Sequence, residues 1–199
     1  MTAADSDDGR TRCDWAAGGP PIYRDYHDLE WGRPLRGRVE LFERLSLEAF
    51  QSGLSWLVIL RKREGFRRAF AGFDIDTVAR FTETDVARLM ADADIVRNRA
   101  KIEAVVANAR AAADLDVDLS DLLWSFAPPP RPRPATTAQV PSHTPESRAL
   151  ARALRDRGFR YVGPTTAYAL MQASGMVDDH LRACWVPPQG RVRASSGVL

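Results

Sequence analysis

Apolar residues recur at helical spacing along several stretches of the chain. In "VELFERLSLEAFQ" (39–51), Val39, Phe42, Leu45, Ala49 and Phe50 fall near one face of a 3.6-residue period. "ETDVARLMADA" (83–93) groups Val86, Leu89 and Met90 behind Thr82, a candidate cap. "RAKIEAVVANARAAA" (99–113) repeats the period through Ile102, Val105, Val106 and Ala109. Thr144 followed by Pro145 predicts a helix start for "PESRALARALRDRG", and Gly158 predicts its stop. "GPTTAYALMQASG" (163–175) reads as a buried helix between glycines. No stretch alternates convincingly with the two-residue period of a strand, and nothing repeats. The pattern predicts an all-α fold.

The remaining segments set the boundaries. Residues 1–11 and the tail 187–199, "PPQGRVRASSGVL", are expected to be disordered, leaving a single domain over 12–186. Within it, "APPPRPRPATTAQVPSH" (127–143) predicts a proline-stiffened connector between two lobes. "RCDWAAGGPPIYRDYHDLEWG" (12–32) has poor helical periodicity before Tyr23 and reads as a loop that needs something to hold it.

Composition narrows the class. Apolar residues make up 45% of 199, enough for a real core. No apolar run approaches the ~20 residues that span a bilayer, so no membrane partner is expected. The acidic, polar start is not a signal peptide, which makes the cytoplasm the expected compartment. Two cysteines there are expected to bind metal or simply be buried, not to form a disulfide. The net charge of +2 excludes little, but its distribution is uneven. Lys62 and Lys101 are the only lysines; arginines cluster in 61–68, 97–101 and 148–160. That unevenness permits a one-sided basic face, although from charge alone an ordinary solvated surface is the favoured reading.

His180 and Cys184 stand four residues apart, a spacing that would put both on one face of a helix. Cys13 and His27 lie in the loop-like N-terminal segment. Together they make a Cys₂His₂ set, the usual closed tetrahedral donor set for zinc. The spacing is not that of a zinc finger, and a buried thiol beside a hydrogen-bonded histidine would give the same pattern.

At these residues the chain resembles the bacterial DNA-3-methyladenine glycosylase I family. "RCDWA", "YRDYHDLEWG", "SGLSWLVILRKREGFRRAF", "IVRNRAKI" and "GFRYVGPTTAYALMQASGMVDDHLRAC" carry the resemblance, in order, over residues 12 to about 185. It implies a helix-hairpin-helix DNA glycosylase-like bundle, with one structural zinc per chain joining the two termini through Cys13, His27, His180 and Cys184. It implies an enzyme that flips 3-methyladenine out of alkylated double-stranded DNA and releases it by hydrolysis. Glu48 matches the family's pocket carboxylate. Tyr26 and Trp56, with Tyr23 and Trp15, stand where it places the base pocket; Trp31 and Trp124 are assigned to the core. The hairpin would be "VARLMADADIVRNRAKIEAVVANA", its turn near Asp94 to Arg97 and its phosphate contacts aided by Arg97, Arg99 and Lys101. Asp94 and Ala100 replace glycines frequent in such hairpins, and Phe50 replaces a polar residue. Gly53–Leu54 would be the wedge that fills the vacated stack. Asp114, Asp116 and Asp118 carry no mark of a catalytic aspartate, and the scarcity of lysine argues against lyase chemistry, so a monofunctional glycosylase is expected. A monomer is expected. The competing reading is a non-catalytic, zinc-containing helix-hairpin-helix protein that binds DNA.

Overall fold

The computed structural model describes residues 8–188, and helices are its only regular elements of length. They run α1 Asp14–Ala17, α2 Pro21–Leu29, α3 Arg38–Gln51, α4 Trp56–Ala69, α5 Ile75–Ala79, α6 Glu83–Ala91, α7 Arg99–Ala113, α8 Leu119–Trp124, α9 Pro145–Asp156 and α10 Pro164–Ala173. The all-α expectation therefore holds among the described residues. Among the described residues no helix is long and apolar enough to cross a membrane.

Local chemistry explains the helix starts. Asn98 accepts from the Lys101 amide at 3.1 Å to open α7. Thr144 and Ser147 exchange two hydrogen bonds at the start of α9, with Pro145 at its first position. The apolar stripes then meet in one continuous core. Phe42 and Phe50 of α3 pack with Phe66 and Phe70 around the turn that leads to Phe73. Leu150 and Leu154 of α9 and Leu170 and Met171 of α10 belong to the same cluster, so the two expected lobes share one core.

Periodicity alone missed α4, because "RKREGFRR" hides its apolar face among cations. Gly65, inside that helix, is where the α6–α7 loop docks: a Cβ there would lie 2.4 Å from the Asp94 carbonyl oxygen. The N-terminal segment is not a loop either; it folds into α1 and α2. Conversely, residues 178–188 form turns, so His180 and Cys184 do not share a helical face. The order expected from residue 12 begins at least four residues earlier. Asp8 pairs with Arg12, Arg10 lies over Trp185, and Thr11 accepts from the Trp185 amide at 2.8 Å. Residues 1–7 and 189–199, parts of the expected tails, lie outside the described residues.

The proline-rich connector (127–143) is a strap tied through its middle residues. Arg131 and Arg133 bind Asp179 and Asp178 at 2.7 and 2.8 Å, and Thr137 donates to Asp14 at 2.7 Å. It passes over the place where the two ends of the described chain meet.

Candidate active site

Three helices converge on a pocket of about 210 Å³. Tyr26 comes from α2, Glu48 from α3 and Trp56 from the start of α4; Trp15 and Tyr23 complete the aromatic wall. All five residues expected at the pocket are thus brought together. Trp15 meets Tyr23 edge-on at 5.1 Å, and Tyr26 tilts against Trp56 at 5.2 Å. Trp31, assigned to the core from sequence, also lines the pocket, edge-on to Trp15 at 5.2 Å. Trp124 keeps its core assignment, donating to the Leu35 carbonyl at 2.9 Å.

Sequence reading missed the far wall. Gln51, Gln172 and Asp179 line it, joined by Thr137 and Val140 of the connector. Asp179 is buried and accepts from Arg131, Tyr168 and Gln172. Its place beside a candidate metal ligand was the one available signal.

Glu48 is only 6% exposed, and no described residue donates a hydrogen bond to it. Burial pushes its carboxyl up to about 7, against the pull of Arg44 one helical turn before it. The pocket thus holds a carboxylate that is short of partners among electron-rich rings. Such a site complements a flat, cationic, hydrogen-bond-donating ligand.

An outer cleft continues from the pocket through Glu48, Gln51 and Ala169 to Gly53–Leu54 on one lip and Thr165–Thr166 on the other. Gly53 takes a left-handed φ of 77°, and Leu54 is 40% exposed. The expected wedge therefore stands at the pocket mouth.

The expected phosphate contacts fare differently. Lys101 is buried and donates to the carbonyls of Phe50 and Ser52 at 2.8 and 2.5 Å. Its ammonium holds the end of α3 and the cleft loop and is not presented to solvent, which corrects the sequence reading. Arg99 is exposed but pairs with Glu83 and Glu103. Arg97 is exposed beside the helix start, with no ion pair among the described residues.

The four thiol and imidazole residues lie together where the two ends of the described chain meet. Side-chain donor atoms of Cys13, His27 and Cys184 all fall within 4.8 Å of one another. His180 stands just outside that tight group, its ring 5.0 Å from that of His27. Each histidine spends Nδ1 on a carboxylate: His27 on Asp28 at 2.8 Å, His180 on Asp178 at 3.0 Å. Nε2 of His27 is 3.6 Å from the Cys184 sulfur, and Nε2 of His180 is buried with no partner. The Cys13 thiol donates to Cys184, which lowers the Cys184 pKa against the effect of burial and raises that of Cys13.

Comparison with known proteins agrees with this geometry. The family model for methyladenine glycosylases matches residues 15–187. A DNA-3-methyladenine glycosylase of Haemophilus influenzae is 44% identical over 182 residues, covering 87% of this chain and 96% of that protein. The crystal structure of a 3-methyladenine DNA glycosylase I superposes with a TM-score of 0.86 at 43% identity, covering 89% of this chain and 100% of the other. A variant of 3-methyladenine DNA glycosylase I, solved in complex with 3-methyladenine, gives 0.84 at 33% identity over 89% of this chain and 98% of the other. Pocket, helical frame and near-complete coverage agree, and the chain belongs to the bacterial DNA-3-methyladenine glycosylase I family.

Proposed function

We propose that this enzyme flips 3-methyladenine out of alkylated double-stranded DNA and hydrolyses its glycosidic bond without lyase chemistry. The observation that carries the reading is Glu48: a buried carboxylate, without donors, in an aromatic pocket. A methylated adenine in DNA is cationic and presents an amino edge. Rings stacked on its face attract the charge, and Glu48 accepts from the edge.

The lesion's charge also makes it a good leaving group, so the protein's task is binding, orientation and water control. A base still stacked in the duplex cannot be surrounded by the pocket's rings and must leave the stack. Flipping brings the nucleotide through the outer cleft, where Leu54 at the lip is placed to fill the gap in the stack. The loop between α6 and α7 serves as a hairpin facing phosphate, with Arg97 as its available cation. Lyase chemistry needs an amine at the sugar carbon. Both lysines are engaged elsewhere, Lys62 on the Ala93 carbonyl and Lys101 on Phe50 and Ser52, and neither lines the pocket.

A structural zinc fits the chain-end cluster. Two thiols converge, both histidine Nδ1 atoms are oriented by carboxylates, and the His180 Nε2 is a buried polar atom without a partner. Cys13, His27, His180 and Cys184 would hold the ion with no open position, so it supplies cohesion and no step of the reaction.

Purified protein incubated with methylated duplex DNA should release free 3-methyladenine, measured by chromatography, and leave abasic sites uncleaved. Absence of released base would overturn the proposed activity; strand breaks at neutral pH would overturn only its monofunctional character.

A further inference from the structure

Behind the pocket wall lies a group that neither the stacking rings nor Glu48 accounts for. Arg44 of α3 is 9% exposed, a buried guanidinium one turn before Glu48. It donates to the Tyr26 hydroxyl oxygen at 2.8 Å. Its charge lies 5.3 Å from the Tyr26 ring and 6.0 Å from that of Trp56. On its other side stands Glu30 at 3.5 Å, which Arg63 of α4 grips through both oxygens at 2.5 and 2.9 Å. A cation beside a pocket built for a cationic base works against binding by simple Coulomb repulsion. Its presence calls for a compensating role.

We infer that Arg44 is a positioning residue for base recognition, setting the direction of the Tyr26 hydroxyl and placing a compensating charge one helical turn from Glu48. A phenol has two in-plane directions for its O–H. The guanidinium only donates, so it takes an oxygen lone pair on its own side. The O–H then points away from Arg44 and is left to donate to a ring nitrogen of the bound base. A hydroxyl that already accepts from a cation is a stronger donor. The same charge opposes the cost of burying the Glu48 carboxylate. Glu30, fixed by Arg63, keeps Arg44 from collapsing onto Glu48 as a closed ion pair. Donor and acceptor thus reach the base from two helices, with one cation setting both.

This inference rests on the base-pocket reading, and its test separates the two. Calorimetric titration with free 3-methyladenine would compare the parent, Arg44→Met, Tyr26→Phe and the double variant, with thermal melts of each. The parent must bind the base; if it does not, the base-pocket reading itself fails. Given parental binding, Arg44→Met should weaken affinity about tenfold, the order expected for losing a hydrogen bond to a charged group. In the Tyr26→Phe background the same change should cost less than half as much, because part of the effect of Arg44 passes through the hydroxyl. Arg44→Lys, which keeps a cationic N–H donor, should restore most of the affinity. Equal, additive losses in both backgrounds, or a lowered melting temperature with unchanged affinity, would overturn the inference. If Arg44→Met does not fold, Arg44→Gln takes its place in the same cycle under the same criteria.

Discussion

Burying a carboxylate without donors costs stability, and Glu48 shows how that cost and its use separate with pH. Burial raises its pKa from 4.5 to about 7, opposed by Arg44. Between those values the folded protein holds a proton that the unfolded chain has released, so stability falls as pH rises through this window. Glu48→Gln removes the effect. Its melting temperature should exceed the parent's at pH 8 and match it near pH 4; equal melting at both would contradict the burial argument. Activity runs the other way, because only the ionised form complements a cationic lesion. Parental kcat/KM on methylated DNA should rise with pH to a plateau above about pH 7. Glu48→Gln should lie roughly 10- to 100-fold below that plateau, the range for losing a charged hydrogen bond. Arg44 and Tyr26, the charged and phenolic neighbours of Glu48, keep their protons across this range, so the step belongs to Glu48. A pH profile without the rise would remove the charge complement from the mechanism.

At the scale of elements, Lys101 ties the first turn of α7 to the last turn of α3 and to the loop carrying Gly53 and Leu54. Removing the ammonium leaves the Phe50 and Ser52 carbonyls without their shared donor. Lys101→Met should therefore loosen the cleft lip and reduce activity on duplex DNA about tenfold. Affinity for free 3-methyladenine should hold within roughly twofold, and the salt dependence of DNA binding should not change. Arg97→Ala, in contrast, should reduce that salt slope by about one unit. A reduced slope for Lys101→Met would return it to the phosphate surface. Cations at the start of an apolar-faced helix look like phosphate ligands in sequence, and only tertiary placement shows that one turns inward. The helices α6 and α9 were legible because stripe and cap agree locally, and α7 was legible from its stripe. The α4 helix was hidden by its arginines, whose partners Glu30 and Glu43 lie far away in sequence. The His180–Cys184 spacing suggested a helix, yet the same separation arises in the turns that follow α10. The aromatic half of the pocket was legible through resemblance. Its far wall was not, because Thr137, Val140 and Asp179 reach it only when the connector crosses the chain ends.

That crossing decides the behaviour of the whole molecule. Cys13 and Cys184 bracket nearly all of the described chain, and Trp185 donates both its amide to Thr11 and its indole N–H to Asp28. The apolar cluster there is small, made of Cys13, Leu181, Cys184 and Val186, so hydrophobic burial alone gives it little cohesion. Buried polar groups increase the demand. Arg12 and His27 share Asp28, and bonds from both hold that carboxyl below its usual range although burial opposes it. A metal joining four side chains would satisfy the unpartnered His180 nitrogen and close the chain into one long loop. The entropic value of such a closure in the unfolded chain is roughly 5 kcal/mol. For a protein of this size that corresponds to about 10–20 °C in melting temperature. Protein purified without chelator should carry about one zinc per chain by elemental analysis. Cys13→Ser, or treatment with a strong chelator, should lower the melting temperature by that amount. Cys13 and Leu181 themselves line the base pocket, so the loss should also weaken 3-methyladenine binding in protein that remains folded. Metal-free protein that melts with the parent would leave the cluster as buried thiols bonded to histidine, and the two ends of the described chain would then be held by direct contacts, among them Arg12 and Trp185 on Asp28 and Thr137 on Asp14.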